Sequence, residues 1–303
     1  MSIGRTSPAG PLASLNRIHF TPSADALQPR LSRVLATESR LYIESVAAAR
    51  RRPSRAAVHA VRVATRRILA LRTLVGFLAS RASVATLERH LTVAFRPCGR
   101  LRDLQLMTRE VAVLCVQYPE AKRFLLKLRK RRRRARRRAA IALRKARPHR
   151  VAQVIASIGC ALDIPAGARS GREQVVRRIG LQVSAARRAA DAAFRRAQCG
   201  DLELIHHARL ALKSLRYVTE IAGSLGLSYD VAELSALIRA QASIGTINDR
   251  ALLLEALDAY RERHPKAGKR LARVRSGVAR AQRRQLQQFQ AAAGTGITAA
   301  RLH

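Results

Sequence analysis

Tryptophan is missing from this 303-residue chain, and aromatics of all kinds make up only 4% of it. Any core must therefore be built from Leu, Val, Ile and Ala, a palette that favours packed helices over sheets. Carboxylates are scarce: 19 Asp and Glu stand against 59 Lys and Arg, a formal net charge of +40. Lysine is scarce as well. It occurs seven times, so 52 of the cations are arginine. A bias toward arginine would add cations, but it would not by itself hold the acids down to 19. A monomer this positive repels itself until it meets an anion. Arginine's rigid fork of donors matches phosphate oxygens. The composition thus calls for a polyanionic partner.

Other absences narrow the classes further. Cysteine occurs at four positions only, Cys98, Cys115, Cys160 and Cys199, with no metal-site or redox spacing. They read as reduced and mostly buried, which suits the cytoplasm. No run of 18 apolar residues is present, so no transmembrane helix is expected. The first residues, MSIGRTSPAGPLASLN, lack the apolar core of a signal peptide and read as a disordered arm. Period-two alternation of β-branched residues is absent. So are a phosphate-binding G-x4-GK[ST] loop, an H-E-x-x-H zinc motif and a G-x-S-x-G elbow. No catalytic residue, metal or cofactor is expected, and the protein reads as a binder rather than an enzyme.

What is present is helical periodicity. Helices are expected over 28–50, 54–79, 82–95, 101–116 and 119–146, with a short one after Pro148. They resume over 172–198, 201–224, 229–243, 248–263 and 266–290. The division that follows is an arm at 1–27, a first bundle at 28–158, a linker at 159–171, a second bundle at 172–290 and a tail at 291–303. The fold class is all-α: two helical bundles of four to five helices each, related by a pseudo-twofold internal repeat.

The repeat rests on two patterns. His59 is followed by Arg62 and Arg66, and His206 by Arg209 and Lys213 at the same offsets. Downstream, G-R-L-R-D ends at Asp103 and G-T-I-N-D at Asp249, 44 and 43 positions after the respective histidines. At 100° per residue, His59, Arg62 and Arg66 form a stripe about 60° wide. Val61, Ala64, Thr65, Ile68, Leu71 and Val75 lie opposite. On the second helix Arg209, Lys213, Arg216 and Tyr217 share the stripe, with Glu220 among them. Ala208, Leu212, Leu215, Val218 and Ala222 take the far side. Each helix thus offers a core face and a cationic face. Asp103, Asp249 and Glu220 read as structural carboxylates that hold arginine rotamers. Asp103 and Asp249 are expected near the starts of short helices, where a carboxylate suits free N–H groups.

Residues 121–150 carry 16 cations and no acid. A narrow apolar seam runs through them at Phe124, Leu128, Ala135, Ala139 and Ala142. It predicts one long docked helix rather than a disordered basic tail. Arg131, Arg134 and Arg138 on this run are further candidate contacts for a polyanion.

The stretches VHAVRVATRR (58–67) and IHHARLALKSLRY (205–217), with the paired L-R-D and I-N-D segments, resemble the CHAD family, the conserved-histidine α-helical domain. The likeness covers most of 28–290. It implies two helical bundles with a basic cleft or surface between them that binds inorganic polyphosphate. The positions it carries over are His59, Arg62, Arg66 and Arg67, then His206, Arg209, Lys213, Arg216 and Tyr217. Leu69 departs from the pattern where Arg216 stands in the second half, so the first half is expected either to grip less tightly or to lean on Arg67 and Arg72. Some relatives associate with polyphosphate or storage granules, so a cytoplasmic location with granule association is the expectation. Two alternatives stand beside polyphosphate binding. One is sequence-independent binding of a DNA or RNA backbone; the other is a polyphosphate-processing accessory or enzyme.

Overall fold

A computed structural model describes residues 27–160, 169–227 and 229–294. The arm, most of the proposed linker and the last residues of the tail lie outside the described residues. Among the described residues there are ten α-helices: α1 Leu27–Arg51, α2 Arg55–Val75, α3 Arg81–Gln117, α4 Lys122–Lys145, α5 Pro148–Cys160, α6 Arg169–Ala197, α7 Leu202–Ser224, α8 Val231–Arg263, α9 Pro265–Arg270 and α10 Ala272–Gly294. Two short 3-10 turns precede α3 and α4. No extended strand occurs among the described residues, and the all-α class holds.

Local chemistry sets the helix ends. Ser54 and Ser80 cap α2 and α3 by accepting from Ala57 N–H and Ser83 N–H. Asp201 and Asp230 do the same for α7 and α8. Helix α7 stops at Gly226, whose φ of 97° only glycine adopts without strain. There Leu227 N–H reaches back to Ala222 C=O at 3.1 Å, the six-to-one bond of a Schellman ending.

Two expected breaks do not occur. Helix α3 runs straight through Pro97, and α8 through Gly245. Proline removes one helical donor and glycine weakens the helix by roughly 1 kcal/mol, but packing on both sides outweighs either loss. Ala94, Cys98 and Leu101, which flank Pro97, are sealed in the core. Asp103 and Asp249 therefore lie inside long helices and not at helix starts. The cysteines also differ from expectation: Cys98 is buried and Cys115 partly so, whereas Cys160 and Cys199 are exposed. Burial pushes the Cys98 thiol up to about 11.

The main core joins α1, α2, the first half of α3 and the end of α4 with α5, part of α6 and the C-terminal half of α7. A second core gathers α6, α7 and α8 around Phe194 and Phe289. A third binds the α3–α4 hairpin to α8, α9 and α10. Apolar packing thus crosses between the 28–158 and 172–290 segments in two places. The direct consequence is that α2 lies against α7. The arginine-rich run is a helix, α4, seated by Phe124, Leu125, Leu128, Ala139 and Leu143. That packing excludes the disordered-tail alternative.

Candidate polyanion-binding site

The expected core faces of α2 and α7 are buried. With those faces inward and the helices side by side, their cationic stripes meet. Arg62, Arg66, Arg209 and Lys213 act on one another electrostatically. Crowding by protein atoms is the largest influence on Arg62, Arg66 and Lys213, and neighbouring cations add to it. The Lys213 ammonium falls to about 7, first from burial and then from Arg209, Arg66 and Arg62, with Asp249 opposing. His59, on the exposed rim, is also held below its usual range. Desolvation comes first among the causes, then Arg102, Arg62, Arg66 and Lys213. The cluster is a set of five cations, including Arg102, against two carboxylates.

Those carboxylates come from α3 and α8. Arg209 Nη2 donates to Asp249 Oδ1 at 3.4 Å. Asp103 sits among Arg62, Arg209 and Lys213, which pull its pKa down, but desolvation outweighs them and its carboxyl is raised. Arg209 Nε is buried and has no hydrogen-bond partner among the described residues. Aromatic support comes from Phe95 on α3. Its ring lies 5.0 Å from the Arg62 guanidinium and 5.9 Å from that of Arg66. The Tyr217 hydroxyl acts on Arg66 electrostatically, opposing the loss of its proton. Tyr217 itself is 7% exposed and belongs to the main core, with the Arg216 guanidinium 5.5 Å from its ring centre.

The two glycines of the downstream patterns face these arginines. A Cβ on Gly99 would stand 2.5 Å from Arg62 Nη1, whereas one on Gly245 would meet Arg209 Nε at an ordinary 3.8 Å. Gly99 gives the Arg62 guanidinium its room. His206 is exposed, and its Nδ1 shares a hydrogen bond of 2.7 Å with the side-chain Oδ1 of the buried Asn248.

Other expected contacts lie elsewhere. Arg67 grips the buried Glu38 with both arms of its fork, at 2.6 to 3.0 Å, and reaches Glu220 at 3.0 Å. Arg216 donates to the same Glu220 at 2.7 Å. These four residues form an ion-pair chain across α1, α2 and α7. Arg72 pairs with Glu88, and Leu69 packs on the main core. Neither Arg67 nor Arg72 substitutes for a cation at position 69 in the way the sequence suggested. Arg131, Arg134 and Arg138 stand exposed on α4, while the charges that bear most on the cluster come from α2, α3, α7 and α8. A cavity of about 410 Å³ lies away from the cluster, between the start of α4 and α9, lined by Lys122, Arg123, Tyr260, Lys266 and Arg270.

Sequence periodicity missed Phe95, Arg102 and Asn248. Arg102 and Asn248 each precede a motif aspartate, which is the only signal that pointed to them. Nothing in the sequence singled out Phe95. Among the described residues no group of three or more His, Cys, Asp or Glu side chains is placed to hold a metal ion. No helix among them is long and apolar enough to cross a membrane.

Comparison with known proteins agrees with this architecture. No curated protein matches the chain. Among solved structures, the crystal structure of the CHAD domain from the plant Ricinus communis superposes with a TM-score of 0.63 at 19% identity, covering 93% of this chain and 92% of that one. The family model for the CHAD domain matches residues 26–258, which hold both histidine helices and both downstream aspartates. The chain belongs to the CHAD domain family.

Proposed function

We propose that this protein binds inorganic polyphosphate, without catalysis, at the cluster where α2 meets α7. One observation carries the reading: Arg62, Arg66, Arg209 and Lys213 converge from two helices at an electrostatic cost that two carboxylates do not cancel. Such a cost is retained where a bound anion removes it. A bare phosphate chain has no bases to stack, and the Phe95 ring is already covered by Arg62 and Arg66. The ligand is therefore gripped by charge and by forked donors. Arg62 and Arg66 take phosphate oxygens from the α2 side, Arg209 and Lys213 from the α7 side. His59 lies at the rim, where a bound anion would favour its protonation. Asp103 and Asp249 hold arginine rotamers and keep the empty site from repelling itself more strongly. We place this activity in the cytoplasm, with granule association following from the ligand, and read the two histidine helices as products of an internal duplication.

The test is calorimetric titration with long-chain polyphosphate near physiological salt. Arg209→Gln with Lys213→Met should cut affinity by about tenfold or more, since each lost charge-assisted bond is worth about 1.5–3 kcal/mol. Arg280→Gln with Arg283→Gln removes the same charge from the exposed side of α10 and should change it little. Equal losses in the two variants would reduce the cluster to diffuse charge.

A further inference from the structure

Helix α4 carries a second cationic surface that the cluster does not use. Its 24 residues hold 14 Lys and Arg and no acid, and all of these cations except Arg132 are exposed. No ion pair to any of them occurs among the described residues. The fold does not require this charge. Helix α10 packs on α8 as α4 packs on α3, yet it holds five arginines in 23 residues. A helix that concentrates like charge weakens itself at every i,i+3 and i,i+4 contact, so the concentration points to a ligand.

The placement of the charge identifies the ligand's shape. The packing face of α4 is marked by Phe124, Leu128, Ala135 and Ala139. At 100° per residue, Arg129, Arg133 and Arg136 fall on one flank of that face, and Lys127, Arg131 and Arg138 on the other. The two flanks are about 170° apart around the helix axis. Lys130, Arg134 and Arg137 form the outward ridge between them. A single phosphate chain, or a flat lipid surface, would touch only the ridge. Two opposed rows of cations suit two rows of phosphates with the helix between them. The major groove of double-stranded DNA is about 12 Å wide and admits an α-helix, whose diameter with side chains is about 10–12 Å. The six flank cations lie between Lys127 and Arg138, a stretch of about 18 Å, short enough for one passage of the groove.

We propose that α4 is a docking surface for double-stranded DNA, held through both phosphate walls of the major groove and separate from the α2–α7 cluster. Apart from Leu126 and Ile141, every exposed side chain of α4 is Lys or Arg, and no amide or carboxylate is there to read an adenine or cytosine edge. One molecule would then hold DNA on α4 and a second polyanion at the cluster.

The experiment is fluorescence anisotropy of labelled DNA, two helical turns long, titrated with the full chain at several salt concentrations. Three variants are compared: Arg129, Arg133 and Arg136 to Gln; Lys127, Arg131 and Arg138 to Gln; and Lys130, Arg134 and Arg137 to Gln. Glutamine keeps helix propensity, and circular dichroism checks that α4 persists. Duplex should bind at least tenfold more tightly than the single strand of equal length. Each flank variant should flatten the slope of log affinity against log salt by about 3, near 0.9 per lost phosphate contact. Arg66→Gln with Lys213→Met, in the cluster, should leave duplex affinity unchanged. Equal binding of single strand and duplex would overturn the proposal. So would flank variants without effect beside a ridge variant that abolishes binding, the pattern of a single-chain or lipid partner.

Discussion

Lys213 is the residue whose chemistry most depends on its neighbours. Burial and three arginines bring its ammonium to about 7, far below an ordinary lysine. The unfolded chain therefore holds more protons than the folded one between about pH 7 and 10.5. Stability contributed by this group rises with pH across that window, and its full cost is felt below 7. A bound phosphate chain reverses the balance by favouring the charged form. Polyphosphate binding at pH 8 should draw in protons, and affinity should fall as pH rises through 7 to 8. Calorimetry in two buffers of different ionisation enthalpy measures the uptake, and Lys213→Met should abolish most of it. The paired glycines separate binding from stability in a second way. Gly99→Ala should leave stability near wild type, because a helix-interior glycine costs about 0.5–1 kcal/mol relative to alanine, while it displaces the Arg62 guanidinium and weakens polyphosphate binding. Gly245→Ala has ordinary room and should stabilise by that same amount with binding intact. Thermal denaturation beside titration distinguishes the two.

At the scale of elements, α2 and α7 are tied by two different means. Apolar faces bring them together, and the chain Glu38–Arg67–Glu220–Arg216 fastens both to α1. Glu38 is 2% exposed, so Glu38→Gln leaves Arg67 with a single carboxylate partner and removes a charge-assisted pair at the core. We expect a loss of about 2 kcal/mol, read by urea denaturation, with polyphosphate affinity changed little. Much of this scale was legible in the sequence. The 3.6-residue periodicity of α2 and α7 fixed which face is buried, and the seam of α4 identified it as a docked helix. What the sequence could not show follows from tertiary contact. Pro97 and Gly245 look like helix ends because local propensity is all a sequence displays; Cys98, Leu101, Ile244 and Ile247 hold the helices through them. The family resemblance brought Arg67 into the site and periodicity put Tyr217 on the second stripe, yet a carboxylate 29 residues upstream claims the first and core packing buries the second. Phe95 lay beyond reach because its partners are set by how α3 crosses α2.

For the whole molecule, a net charge of +40 distributed over two surfaces makes a distinction that charge counting cannot. The cluster between α2 and α7 concentrates few cations inside a crowded site, while α4 spreads many on an open one. The first lowers the Lys213 ammonium to about 7. Ligand bound to the folded state should raise the midpoint of thermal unfolding in proportion to the logarithm of its concentration, but that response would not say where the ligand sits. Lysine footprinting does. The chain has seven lysines, of which Lys213 alone belongs to the cluster and Lys122, Lys127, Lys130 and Lys145 belong to α4. Brief acylation near pH 7.5, read by mass spectrometry, should modify Lys213 out of proportion to its exposure, because much of it is already the free amine. Long-chain polyphosphate should then suppress modification at Lys213 first, at concentrations that leave the α4 lysines reactive. Protection of the α4 lysines with Lys213 unchanged at saturation would contradict the proposed site.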